Sequence, residues 1–136
     1  SGLWKCQRET DAAMGYEACE DAKANHPRSG NTGAGCGATV GKLCGMERAS
    51  KSGLGIYAVR LGRLEMAAVV VVNALGDIFD PESGKKIAGL RSEDGSGFAD
   101  TREELYKLSK RTDMFTGNTT IGAVITNGKF SKAEIE

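Results

Sequence analysis

Seven apolar residues in a row, Met66-Ala-Ala-Val-Val-Val-Val72, constrain this chain more than any other feature. The run is far shorter than the roughly 20 residues a membrane helix needs, and four of its residues are β-branched, so it reads as a strand. Upstream lies a second strand pattern, Ile56-Tyr-Ala-Val-Arg-Leu61, and Gly62-Arg63 between the two is a two-residue turn of the Gly-x kind. The pair is therefore expected to form a hairpin whose second arm runs from Leu64 through Ala74. Side chains alternate across a strand, so an arm with no polar residue between Met66 and Asn73 needs cover on both faces, as a central strand between two layers.

The remaining elements follow from spacing. From about Arg8 to Asn25, Ala12, Tyr16, Cys19 and Ala22 recur at helical intervals among charged residues, which predicts an amphipathic helix ended by His26-Pro27. Ser29 to Gly41 is a loop of small residues with too little apolar volume for an ordinary core element. Asp80-Pro81-Glu82-Ser83-Gly84 is a surface turn between Ile78-Phe79 and Lys86-Ile87. Thr101-Arg-Glu-Glu104 has the capping-box pattern and opens a helix that carries Leu105 and Leu108 and ends near Arg111. Thr119 to Thr126 is β-branched and apolar, a second buried strand, closed by Asn127-Gly128. Ser131-Lys-Ala-Glu134 is another capping box, two residues before the last residue, Glu136. Strands this apolar need helices on both sides, and only two full helices are found, so residues 1–136 are expected to be one partial α/β domain of a longer protein.

Eighteen basic residues balance eighteen acidic ones, which argues against a nucleic-acid or anionic membrane partner. No signal peptide opens the chain, and a cytoplasmic protein is expected. Cys6, Cys19, Cys36 and Cys44 have no Cys-x-x-Cys pair and only His26 as a possible companion, so neither a metal site nor a cofactor is expected, and the thiols are read as reduced. Gly33-x-Gly35-x-x-Ala38 fits a loose dinucleotide fingerprint, but no strand precedes it; Gly41-Lys42 lacks the rest of a phosphate-binding loop.

With a single histidine beside a proline, imidazole is a poor general base for a hydrolase here. The α-amino group of an N-terminal Ser, Thr or Cys is an alternative, because its ordinary pKa of about 8 leaves part of it neutral near pH 7. Asn118-Thr119 suits a bond that breaks to expose such a residue: Gly117 supplies freedom for a strained turn, and a rigid strand follows. Thr119 and Thr120 are equally ordinary strand residues, and Gly-Asn is an ordinary turn.

Four blocks occur in order: Gly30-Asn-Thr-Gly-Ala-Gly-Cys-Gly-Ala-Thr-Val-Gly-Lys-Leu43, Gly53-Leu-Gly-Ile-Tyr-Ala-Val-Arg-Leu-Gly62, Val70-Val-Val-Asn-Ala-Leu-Gly-Asp77 and Gly117-Asn-Thr-Thr-Ile-Gly-Ala-Val-Ile-Thr-Asn127. Together they resemble the L-aminopeptidase/D-esterase family of self-processing N-terminal-nucleophile hydrolases, which includes β-peptidyl aminopeptidases and nylon-oligomer hydrolases. The resemblance implies an αββα sandwich, incomplete in this chain, in which residues 1–118 precede the self-cleavage site and 119–136 begin the part after it. It implies that Thr119 attacks the Asn118 carbonyl and then serves as nucleophile toward small peptides or amides. It assigns Asn73 to the active site as a donor to the carbonyl under attack, and Lys42 as a charge that keeps the Thr119 amine neutral. It also implies a homo-oligomer, and a C-terminal acidic segment that this sequence does not contain. A catalytically silent assembly or binding module, and an acyltransferase of the related ornithine-acetyltransferase fold, are the alternatives.

Overall fold

The computed structural model describes residues 11–108 and 118–135. The chain is a mixture of helix and sheet, with three separate antiparallel sheets among the described residues. The hairpin forms as its sequence predicts: β3 (Leu54–Leu61) and β4 (Leu64–Asn73) pair in register from Leu54↔Val71 to Leu61↔Leu64, and Gly62 takes a φ of 61° in the turn. β7 (Thr119–Thr126) joins the other side of β4, from Asn73↔Thr119 to Met66↔Thr126, so β4 is the central strand. β1 (Thr39–Val40) pairs with β2 (Ser50–Lys51), and β5 (Ile78–Phe79) with β6 (Lys86–Ala88). A 3₁₀ turn at Gly33–Gly37 and β1 lie against the central sheet.

Cover on both faces of β4 is not found. One face of the sheet carries Tyr57, Val59 and Leu61 of β3 beside Val124 of β7, all exposed, with Tyr57 at 74% and Val124 at 70%. In β4 only Val71 is fully buried, and β7 is exposed except at Thr126. β7 is thus an edge strand rather than a buried one. Its apolar composition records a need for cover that none of the described elements supplies.

The small-residue segment differs from expectation in the opposite direction. The core consists of Ala38, Val40, Leu43, Ala49, Val71 and Leu90, and four of these six lie between residues 38 and 49. Small side chains let backbones approach, and the interior fills with main chain instead of side-chain volume. Gly41, at a φ of 69°, is pressed against Gly89 and Leu90 so closely that a Cβ there would collide with their backbones.

The helices are peripheral. α1 (Ala12–Lys23) begins on Asp11, whose carboxylate accepts the Met14 N–H at 2.7 Å; of its predicted span, Arg8 to Thr10 lie outside the described residues. Its apolar positions Ala12, Tyr16, Cys19 and Ala22 are all exposed, so among the described residues it buries no apolar face. α2 (Thr101–Leu108) is capped by Asp100 rather than Thr101: the Asp100 carboxylate accepts from Arg102 N at 2.9 Å and Glu103 N at 3.3 Å. Its predicted end near Arg111 lies outside the described residues. α3 (Lys132–Ile135) shows the expected capping contact, with Glu134 accepting from Ser131 N at 2.8 Å. No described helix is long and apolar enough to cross a membrane.

Thr101 has another role, because its hydroxyl donates to Asp77 Oδ2 at 2.5 Å. Asp77 also takes Lys86 Nζ at 2.8 Å and the Leu90 N–H at 2.9 Å, and its side chain is only 6% exposed. Burial raises the Asp77 pKa, but the Lys86 and Thr101 hydrogen bonds, the Leu90 N–H and the Lys86 charge outweigh it, and the net shift is downward. The carboxylate, directly before β5, thus joins that strand to β6 and the start of α2. Because its folded pKa is depressed, its stabilisation is complete above the ordinary carboxylate value and disappears as pH falls through the lowered one. Asp77→Asn keeps an oxygen for Leu90 but leaves the Lys86 charge uncompensated. It should lower unfolding free energy by about 3 kcal/mol in urea titrations at pH 7, and the deficit should shrink toward pH 3. An equal deficit at both pH values would remove the ion pair from this account.

Candidate functional site

The glycine segment, β4 and β7 converge at the end of β4. Asn73 is the last residue of that strand, and Thr119, the first of β7, is its cross-strand partner. Directly opposed residues of an antiparallel pair project on one face. Thr120 pairs with Val72 and projects on the other, so the register separates two threonines that the sequence leaves equivalent. Asn73 and Thr119 line a cavity of about 180 Å³ whose other walls are Ala34, Gly37 and Ala38 from the glycine segment and Val71 and Ile121 from the sheet. Thr119 itself is exposed to solvent, as is Asn118 immediately before it; Gly117 lies outside the described residues.

Lys42 reaches Asn73 from the segment after β1. Its backbone is fixed first: Gly41 N donates to Gly76 O at 2.7 Å and Lys42 N to Leu75 O at 3.0 Å, so the segment after β1 is bound to the segment after β4. Its ammonium then donates to Asn73 Oδ1 at 2.8 Å. An ammonium has no acceptor capacity, so the atom it meets must be the oxygen, and this fixes which way the amide is turned. Thr39 adds two longer contacts to the same oxygen, from its N–H at 3.3 Å and its hydroxyl at 3.5 Å. With Oδ1 engaged by these donors, Nδ2 is the end directed away from Lys42. Burial lowers the Lys42 pKa from its ordinary value, because desolvation disfavours the ammonium.

Of the residues the sequence singled out, the structure joins Lys42 to Asn73 by a hydrogen bond and Asn73 to Thr119 by strand register. Lys42 is not among the residues that line the cavity with Thr119; its connection to it is the hydrogen bond to Asn73. Sequence reasoning missed Thr39, which is only 3% exposed and holds the Asn73 oxygen. It also missed Lys51, an isolated lysine in a Gly/Ser stretch without any pattern around it. Its Nζ donates to Gly35 O at 2.6 Å, Ser52 O at 2.8 Å and Ala38 O at 3.0 Å. Chemically, the assembly offers a hydroxyl and an amide on one small cavity, and a partly desolvated lysine that fixes the orientation of the amide.

No family model matches the chain. Curated relatives do match: the 6-aminohexanoate-oligomer endohydrolases of Kocuria sp. and Paenarthrobacter ureafaciens are each 32% identical to it over 92% of its length. An uncharacterized aminopeptidase of Mycobacterium leprae is 32% identical over 97%. The chain spans about a third of the length of these relatives, 36%, 36% and 33% respectively.

The site depends on Gly41 more than on its neighbours. Gly41→Ala places a Cβ in the left-handed region and against the Gly89–Leu90 backbone, and should cost about 3 kcal/mol or more in thermal unfolding. A Cβ at Gly37 meets nothing within 4 Å, so Gly37→Ala should stay within about 0.5 kcal/mol of the parent. Equal costs for the two would contradict the packing described.

Proposed function

We propose that this chain, which belongs to the same family as its endohydrolase and aminopeptidase relatives, holds the nucleophile of a self-processing amidohydrolase. The observation that carries this reading is the pairing of Thr119 with Asn73 across one cavity, with Lys42 bound to the far side of the Asn73 amide. In the first step Thr119 Oγ attacks the Asn118 carbonyl carbon, the C–N bond breaks, and the acyl group passes to Oγ while the nitrogen becomes a free amine. Water then opens the ester, leaving the Asn118 carboxylate and a free N-terminal Thr119.

In turnover the new amine takes the proton from Oγ as Oγ attacks the carbonyl of an amide substrate. That proton passes to the departing amine, and water hydrolyses the acyl ester. Asn73 Nδ2, turned away from Lys42, donates to the oxygen on which charge develops. Lys42 acts by its charge, since a nearby ammonium disfavours protonation of the Thr119 amine. The substrate class is small peptides or linear amides, which agrees with the names of the relatives. The remaining length of the protein would cover the open faces of the β3–β4–β7 sheet and complete a four-layer αββα sandwich.

The full-length protein should run as two fragments on a denaturing gel, one of them beginning at Thr119 by mass spectrometry. Thr119→Ala should remain a single chain and lose at least about a thousandfold in hydrolysis of 6-aminohexanoate oligomers. A Thr119→Ala protein that still cleaves and turns over would sink the assignment.

For the processed enzyme, kcat/KM should rise with pH as the Thr119 amine, ordinarily near pKa 8, loses its proton. Lys42→Met removes the neighbouring charge and should move that rise to higher pH by up to about one unit. A rise at the same pH in parent and variant would exclude an electrostatic role for Lys42.

A further inference from the structure

Lys51 is far from an obvious candidate: it lies on β2, away from the cavity, and nothing in the proposed chemistry calls for it. Its surroundings are nonetheless built around one backbone unit. Lys51 is the register partner of Thr39, its ammonium donates to Ala38 O at 3.0 Å, and Ser52 N donates to the same oxygen at 3.0 Å. The N–H of that same peptide unit belongs to Thr39, and it donates to Asn73 Oδ1 at 3.3 Å. A trans peptide is a rigid plane whose C=O and N–H point in opposite directions. Fixing the Ala38 carbonyl from one side therefore aims the Thr39 N–H at Asn73 on the other.

Charge adds to geometry. An ammonium on the carbonyl polarises the whole amide, which strengthens the N–H as a donor, because hydrogen bonds in a chain reinforce one another. The same ammonium holds Gly35 O at 2.6 Å, which fixes the 3₁₀ turn that supplies Ala34 and Gly37 to the cavity wall. That turn consists of Gly-Ala-Gly-Cys-Gly and has almost no side-chain volume with which to hold itself, so a hydrogen-bonding clamp takes over the work of packing.

We propose that Lys51 is a positioning residue for the reaction: through the Ala38–Thr39 peptide it sets the orientation of the Asn73 amide that faces Thr119. The proposal rests on the reading of Asn73 as the carbonyl-polarising group. It differs from a purely structural role because it makes the effects of Lys51 and Asn73 interdependent.

The test is a double-mutant cycle in the full-length protein, with 6-aminohexanoate oligomers as substrate, alongside hydrogen exchange of the Thr39 amide. Lys51→Met should lower kcat about tenfold with KM within about twofold of the parent, because a misaimed donor weakens transition-state stabilisation more than binding. In an Asn73→Ala background the same change should cost less than about twofold, since contacting residues in one network are not additive. Lys51→Arg, whose planar fork does not match three carbonyls converging on a point, should fall between parent and Lys51→Met. It takes the place of Lys51→Met in the cycle should the latter not fold.

Exchange of the Thr39 N–H should be at least about tenfold faster in Lys51→Met or Lys51→Arg than in the parent, an effect that does not depend on activity. Equal losses in the parent and Asn73→Ala backgrounds, a change in KM alone, or unaltered Thr39 exchange would each overturn the proposal. A parent that neither cleaves before Thr119 nor hydrolyses amides would refute the proposed function instead, and Thr39 exchange would still decide whether Lys51 holds the peptide.

Discussion

Main chain pressed against main chain is what the rest of this structure depends on. Gly41 meets Gly89 and Leu90, and Gly35 and Gly53 both meet Gly30, at separations where no Cβ fits. Contact of this kind excludes water from peptide groups, and each buried N–H and C=O then needs a partner. The structure supplies partners partly through short strand pairs such as Thr39↔Lys51 and Gly30↔Leu54. Side chains contribute in complementary ways, among them Lys51 as a donor to the Gly35, Ala38 and Ser52 carbonyls, Ser50 as a donor to the Gly89 carbonyl, and Asp77 as an acceptor for the Leu90 N–H. A cation and an anion thus do for a glycine-rich interior what interdigitating side chains do in an ordinary core. The site inherits its placement from this arrangement, since Lys42 follows Gly41 directly and Asn73 lies three residues before Gly76, whose carbonyl accepts the Gly41 N–H.

The central sheet has the opposite character. It is regular, long and apolar, and one of its faces stands open at Tyr57, Val59, Leu61 and Val124. An apolar surface of this extent on a sheet is ordinarily an interface. The rigidity of the site therefore comes from the compact glycine-rich side, where β1 and the 3₁₀ turn meet β4, and the open face contributes strand geometry alone. This division also explains why Thr119 is fixed in register but exposed: β4 determines where it stands, and nothing described lies over it.

Much of this was legible in the residues, and the failures share one cause. The hairpin, its Gly62-Arg63 turn, the Asp80 turn and the last strand follow from local pattern, because turn chemistry and strand alternation act over a few residues. Asp80 accepts from Glu82 and Ser83 N–H groups at 2.9 Å and 2.8 Å, as an acidic turn residue should. Thr101 was misread because a capping box and a long-range acceptor compete for one hydroxyl, and Asp77, 24 residues away, is invisible to a local rule. The glycine segment was misread because burial was equated with side-chain volume. Lys42, Asn73, Asn118 and Thr119 were singled out by the four ordered blocks, Asn118-Thr119 also by the glycine before a strand, and none of them by periodicity. Thr39 and Lys51 were not found, because the plane that joins them is a property of the backbone between two residues rather than of either one.

That plane bears on how an asparagine beside a threonine can be oriented. A histidine in a catalytic triad is oriented by a carboxylate at its far nitrogen, which fixes the tautomer. Asn73 has no tautomers, but its amide has two orientations that differ by a half-turn, and only one presents Nδ2 to a carbonyl. A donor that cannot accept, placed on Oδ1, selects between them. Lys42 is such a donor and the Thr39 N–H is another, so the wrong orientation would set NH₂ against an ammonium and a peptide N–H at once. The selection is electrostatic and operates in a partly desolvated setting, where a mispaired donor is costly. The same ammonium that orients Asn73 is held below its ordinary pKa by burial. Orientation of the amide and the protonation of its partner are consequently linked through one lysine, so a change in the burial of Lys42 alters both together.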